Sequence, residues 1–287
     1  MKIHHLDCCT MCPGAERWIT GQGSFLARGR LVGHCLLVES ASGLVLVETG
    51  IGSADIAQPT ERLGRFFLRT SRPRLDPNQT ALAQLQRLGF APRDVRHIVL
   101  THAHLDHAGG ISDFPHAKIH VYAPEERAVS GPTSYFERHA YRQLQFAHGP
   151  DWVGHEPTGD RFFGFDAVRP LAELGADIAL VPLPGHTRGH AAVAVKGPRG
   201  YLLHAGDAYF HRNQLAGGAA PPLLDLFQRI IDSNRALRTR NLARLVQLAR
   251  EHAGEVQIFC AHDPVEFETL RKSAISTDKP ELARAVA

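Results

Sequence analysis

Thr101-His102-Ala103-His104-Leu105-Asp106-His107-Ala108-Gly109-Gly110 places three imidazoles and one carboxylate within six residues. It follows Val95-Arg96-His97-Ile98-Val99-Leu100, which reads as a buried strand. Imidazole and carboxylate are the ligands that borderline divalent ions such as zinc prefer. A turn at the carboxyl end of a strand can aim alternate side chains at one point. The stretch therefore predicts a metal site, and its ligand density predicts room for two ions.

The missing ligands must come from elsewhere, and three other strand-like runs end in suitable residues. Ile178 to Val181 leads into Pro182-Leu183-Pro184-Gly185-His186-Thr187-Arg188-Gly189-His190. Tyr201 to Leu203 runs into His204-Ala205-Gly206-Asp207, and Val256 to Cys260 into Ala261-His262-Asp263-Pro264. Scattered surface histidines would not fall at strand ends beside Gly or Pro each time.

Between these motifs the pattern alternates strands and helices. Leu31–Val38 and Leu44–Glu48 flank Ser40-Ala41-Ser42-Gly43 as a hairpin, and Ala191–Val195 pairs with Tyr201–Leu203 across Gly197-Pro198-Arg199-Gly200. Asp76-Pro77 predicts a helix start, Ala81, Leu82, Leu85 and Leu88 its apolar face, and Gly89 its end. A second helix opens at Asp232 or Ser233, carries Leu242, Leu245, Val246 and Ala249, and closes at Gly254. Residues 53–75, with five arginines around Phe66-Phe67-Leu68, read as a mobile flap or an interface segment. Residues 131–165 read either as the roof of a pocket or as a helical insertion with its own small core. The tail past about residue 272 reads as loosely held.

Composition bounds the class. The chain has 287 residues, 44 % apolar and 21 % charged, enough for a sizeable core. No linker or repeat divides it, so residues 1–287 read as a single domain. The net charge of +3 is spread without a basic block, which predicts no nucleic-acid partner. No stretch of about 20 apolar residues predicts a membrane span. The amino terminus lacks the apolar core of a secretory signal, so the cytoplasm is the expected compartment. Five cysteines fit reduced thiols, and Cys9-Thr10-Met11-Cys12, a lone CxxC, reads as structural.

THAHLDHAGG (101–110), PGHTRGH (184–190), HAGDAYF (204–210) and CAHDP (260–264) together resemble the metallo-β-lactamase-fold hydrolases, most closely the quorum-quenching (acyl-homoserine) lactonase branch. The resemblance implies an α/β fold, a four-layer αββα sandwich. It implies that His102, His104 and His186 hold one metal, that Asp106, His107 and His262 hold a second, and that Asp207 bridges them. The implied cofactors are two divalent ions, zinc first, with Mn2+, Co2+ or Fe2+ as alternatives. The implied reaction opens a lactone or another ester by attack of a metal-bridging hydroxide, with Asp106 assisting the leaving group. A small-molecule ester or lactone is the implied partner, and a homodimer is compatible with it. Tyr209 lies two positions after Asp207, where those lactonases place a tyrosine three after. Strand alternation then leaves Tyr209 either polarising a carbonyl or sitting in the core.

His97, His116, His120, His190, His204 and His211 fall outside the ligand pattern, and core or surface roles are expected for them. His190 or His204 could support a ligand from behind. The alternatives within the fold are thioester or phosphodiester hydrolysis. Glyoxalase-II-type enzymes add a helical domain after the last ligand, whereas 25 residues follow His262 here. A mononuclear-iron dioxygenase would use the first ligand set alone.

Overall fold

The computed structural model describes residues 1–277, and the outer ten residues of the expected loose tail lie outside that range. Where it is described, this tail continues a helix, Pro264–Thr277.

The strands are β1 (Lys2–Asp7), β2 (His34–Ser40), β3 (Gly43–Val47), β4 (Val95–Val99), β5 (Lys118–Tyr122), β6 (Asp151–His155), β7 (Asp160–Phe162), β8 (Phe165–Pro170), β9 (Ile178–Pro182), β10 (Ala191–Gly197), β11 (Gly200–His204) and β12 (Val256–Phe259). They form two sheets, ordered β1-β2-β3-β4-β5-β6 and β12-β11-β10-β9-β8-β7. Both predicted hairpins are present, with antiparallel pairs β2·β3 and β10·β11. The pairs β3·β4, β4·β5 and β11·β12 are parallel, so β4, β11 and β12 deliver their carboxyl ends to one edge.

Strands buried on both faces read as continuous apolar runs, and these do. On β2 and β3, Leu36, Val38, Val45 and Val47 point between the sheets, where they meet Ile178, Leu180, Val193 and Val195. The alternate residues Leu37, Leu44 and Leu46 pack outward with Ala81 and Leu85 of the helix Ala81–Arg87. On the other sheet, Val181, Ala192 and Leu203 pack outward with Leu245 and Leu248 of the helix Arg235–Glu251. Helix, sheet, sheet and helix are the four layers expected.

Several local expectations change. Asp76 caps a 3-10 turn, Pro77–Gln79, and Thr80 caps the helix that follows. Asn234, not Asp232 or Ser233, caps the helix Arg235–Glu251, because the Asp232 carboxylate is committed to Arg238 at 2.6 Å. A helix not anticipated, Pro222–Ile231, precedes this one.

Residues 53–75, expected as a mobile flap or an interface segment, are tied into the body of the fold. They form the helices Ser53–Ala57, Pro59–Arg62 and Gly64–Thr70. The Asp55 carboxylate is fully buried and accepts from Arg62 Nε at 2.7 Å and from Gln145 Nε2 at 3.0 Å. Gln145 also donates to the Leu105 carbonyl at 3.0 Å, which ties the segment to the first histidine motif. Residues 131–165 are not a helical insertion with a core of its own, since Tyr141 and Phe146 join the core of the first sheet. They contribute the helix Tyr135–Ala140 and strands β6 and β7, and they bring the Tyr141 ring to 5.3 Å from that of His104.

Candidate metal centre

Each motif begins where a strand stops. The chain leaves β4 at Leu100, and a four-residue helix, Leu105–Ala108, turns Asp106 and His107 back toward His102 and His104. The loops after β9, β11 and β12 carry His186, Asp207 and His262 to the same edge. Gly206 permits one of these turns. It sits at φ +53°, and a Cβ there would stand 2.6 Å from His190 Nε2 and 2.7 Å from Thr101 Oγ1.

All seven expected ligands come together. His102, His104 and His186 form one group of potential metal donors, and Asp106, His107 and His262 form another. The Asp207 carboxylate lies between them. Its Oδ2 is 3.2 Å from His186 Nε2 and 3.7 Å from His102 Nε2. Its Oδ1 is 3.1 Å from His262 Nε2 and 3.4 Å from His107 Nε2. Asp106 closes the second group, at 3.9 Å from His107 Nε2 and 3.8 Å from His262 Nε2.

On two of the rings the far side is held so that Nε2 faces inward, whereas His104 turns Nδ1 toward His186 Nε2, at 3.1 Å. His107 Nδ1 donates to Glu48 Oε2 at 2.8 Å, and His262 Nδ1 donates to the Val32 carbonyl at 2.8 Å. Those bonds occupy Nδ1–H on each ring and turn Nε2, the atom a metal would take in place of a proton, toward the centre. Among the described residues His102 Nε2, His107 Nε2 and Asp207 Oδ1 are buried without a hydrogen-bond partner. Buried acceptors facing acceptors are costly unless a cation sits among them. The donor set therefore fits divalent metal.

Electrostatics agree. Burial, then the neighbouring imidazoles, hold His102 and His104 well below the ordinary histidine range. Burial opposes charge on His107 too, but Asp207, Glu48 and Asp106 override it and hold that ring well above its usual value. Burial likewise works against the Asp207 carboxylate, and His262, His107 and His186 overcome it and keep the group ionised.

Sequence reading missed the groups behind the ligands. Glu48 ends β3, in the left-handed region at φ +64°, and accepts from His107 and from the Thr101 amide. Glu125 is buried, with Oε1 accepting from the Ala103 amide and the Tyr141 hydroxyl, each at 2.9 Å. Its Oε2 accepts from Thr187 Oγ1 at 2.6 Å and from the Gly189 amide at 3.1 Å. One carboxylate thus fastens the loop between His102 and His104 to the loop around His186. The supporting roles foreseen for His190 and His204 are real. His190 Nε2 accepts from the Asp207 amide at 3.0 Å, and His204 Nδ1 accepts from the Gly206 amide at 3.2 Å.

Tyr209 must be reassigned. It is fully buried in the outer core of the second sheet, and its hydroxyl donates to Glu266 at 3.0 Å. The chain past β11 runs as a turn rather than a strand, and it presents Phe210 to the centre instead, with ring centroids 5.2 Å from His262 and 6.0 Å from His186.

A sandwich of two mixed sheets between helices, with His and Asp donors on one edge, defines a class, and comparison with known proteins agrees with it. Residues 28–250 match the family model described as the metallo-beta-lactamase superfamily, and the chain belongs to that family. It is similar to a protein of Mycobacterium tuberculosis named as a probable metallo-hydrolase, with 43 % identity over 275 residues, covering 96 % of this chain and 84 % of that one. The N-acyl homoserine lactonase AttM of Rhizobium johnstonii is 28 % identical over 203 residues, 70 % of each chain. Among solved structures, an N-acyl homoserine lactone hydrolase with N-hexanoyl-L-homoserine at its catalytic metal centre superposes with a TM-score of 0.66 at 20 % identity, covering 93 % and 95 % of the two chains. The dizinc quorum-quenching lactonase AidC gives a TM-score of 0.58 at 18 % identity, covering 91 % and 87 %. The chain is a metal-dependent hydrolase of this superfamily, whose members bind divalent metals. Among the described residues no helix is long and apolar enough to cross a membrane.

Proposed function

We propose that this hydrolase opens lactones or closely related esters at a dinuclear centre. His102, His104 and His186 would hold one ion, Asp106, His107 and His262 the other, and Asp207 both. The observation that carries this reading is the Asp207 carboxylate, whose two oxygens face different donor groups. The similarity to acyl-homoserine lactonases supports the substrate class. The nitrogen-rich donor set favours a borderline ion, and zinc is the metal we propose.

Bound divalent ions supply Lewis acidity at a carbonyl and bring the pKa of solvent toward neutrality. The chain's own residues do the rest. Glu48 and Val32 fix the ring tautomers of His107 and His262. Asp106, with 15 % of its side chain exposed, is the most accessible carboxylate of the set, placed to take a proton and return it to the departing alkoxide. Phe210 supplies an apolar wall where the lactonases place a tyrosine, so no phenol hydroxyl is available at that position to polarise the ester carbonyl.

The test is a screen of acyl-homoserine lactones, aliphatic lactones, thioesters and phosphodiesters against the chelator-stripped protein reloaded with zinc, manganese or cobalt. Lactone turnover that disappears in Asp207→Ala supports the reading. Turnover of thioesters or phosphodiesters without lactones would overturn it.

A further inference from the structure

Away from the strand ends, three more histidines meet. His97 on β4, His120 on β5 and His155 on β6 occupy adjacent strands of the first sheet, with His97 in register with Lys118 and His155 with Tyr122. Their side chains share one face. His97 Nδ1 lies 2.9 Å from His120 Nε2, and His120 Nδ1 lies 3.0 Å from His155 Nε2. From the opposite sheet the turn Ala172–Leu174, between β8 and β9, brings Glu173 Oε1 to 3.8 Å from His120 Nδ1.

We propose that His120, His155 and Glu173 form a separate binding site for a zinc-class divalent ion. No donor is shared with the centre described above.

The geometry suits the ion. One donor atom from each of the three lies within 4.8 Å of the others. Tetrahedral zinc with bonds of about 2.0–2.1 Å spaces its ligands roughly 3.3 Å apart. The two measured separations, 3.0 and 3.8 Å, bracket that spacing, so small side-chain shifts complete the site. His97 stands behind His120 and fixes its ring through Nε2, as second ligands commonly do at metal sites. The imidazoles arrive neutral: burial, then His97 and His155, bring His120 down to about 3, and burial lowers His155.

Access and selectivity follow from exposure and donor type. His120 and His155 are buried, whereas half of the Glu173 side chain is exposed, which leaves a route for the ion and a coordination position for water. Two nitrogen donors and one carboxylate favour zinc over calcium or magnesium, which select oxygen cages. A ladder of hydrogen-bonded histidines serving packing alone would need no carboxylate at its end, and Glu173 comes from a turn of the other sheet.

Zinc titration of the chelator-stripped protein by calorimetry tests the site, with Glu173→Ala, His155→Ala and Asp207→Ala in parallel. The expected result is a zinc equivalent in the wild type that Glu173→Ala and His155→Ala lose or bind at least 10- to 100-fold more weakly. Hydrolytic activity stays at the wild-type level in both. Asp207→Ala keeps this equivalent, which separates the site from the proposed catalytic ions. Identical zinc stoichiometry and affinity in wild type, Glu173→Ala and His155→Ala would overturn the proposal. Glu173 lies on an exposed turn, so that variant decides the matter even if His155→Ala does not fold.

Discussion

Replacing Glu125 by Gln isolates the clamp between the two ligand loops without changing its shape. Four donors converge on this carboxylate: the Ala103 and Gly189 amides and the Tyr141 and Thr187 hydroxyls, at 2.6–3.1 Å. In the variant one oxygen becomes an NH2 group. A hydroxyl can rotate and accept from it, but a backbone N–H cannot. Whichever way the amide turns, either the Ala103 or the Gly189 N–H is left buried and unpaired. An orphaned buried donor costs about 1–3 kcal/mol, and loss of charge assistance from the remaining bonds adds roughly 1–2 kcal/mol. A total of about 3 kcal/mol corresponds to a melting point lowered by roughly 6–12 °C in a chain of this size. Both amides flank ligands, so metal affinity should fall on the order of 10- to 100-fold. Scanning calorimetry of the metal-free protein and competition with a chromophoric chelator measure the two effects. Burial raises the Glu125 pKa, which makes the test sharp. A variant that melts within a degree of wild type and binds metal equally well would mean that the group is already protonated, and the clamp as described would be refuted.

Three further outcomes are expected. Asp207→Ala should abolish hydrolysis and reduce bound metal while circular dichroism stays native, and full activity would sink the assignment. Tyr209→Phe should leave kcat within about twofold, because the hydroxyl serves Glu266, and should cost about 1 kcal/mol of stability, read by urea denaturation. The third concerns pH. Burial raises Glu266 to about 7 from its ordinary 4.5, so between those values the folded chain holds a proton that the unfolded chain has released. Stability from this group is therefore greatest below pH 4.5 and declines by about 3 kcal/mol as pH rises to 7. Glu266→Gln should flatten that portion of the stability-versus-pH curve, and an unchanged slope would count against the assignment.

Much of the centre was legible because its ligands obey a local rule: each follows a strand and precedes a tight turn. His102, His186, Asp207 and His262 are visible for that reason. Glu48 obeys the same rule at the end of β3, and a stricter application would have included it. Glu125 could not be found this way. In Pro124-Glu125-Glu126 it resembles any acid in the first turn of a helix, and its partners lie 16 to 64 residues away in sequence. Residues 53–75 misled for a related reason. Arg62 looks like one of several surface arginines, and only the fold reveals that a buried Asp55 awaits it. Tyr209 was decided by the turn that follows β11, where the two-residue alternation of a strand no longer holds and Asp207 and Tyr209 face different ways.

Each donor group draws on both sheets: His102 and His104 follow β4 and meet His186 from β9, and Asp106 and His107 meet His262 from β12 across the same gap. On the proposed reading, each ion is a rivet through the seam of the sandwich, and Glu173 with its histidines adds another farther along the same seam. Sliding of one sheet over the other would then strain every fastening together. Metal loading and the mechanical stiffness of the whole body would rise as one quantity, and a chelator would act as a lubricant between layers that share no covalent crosslink.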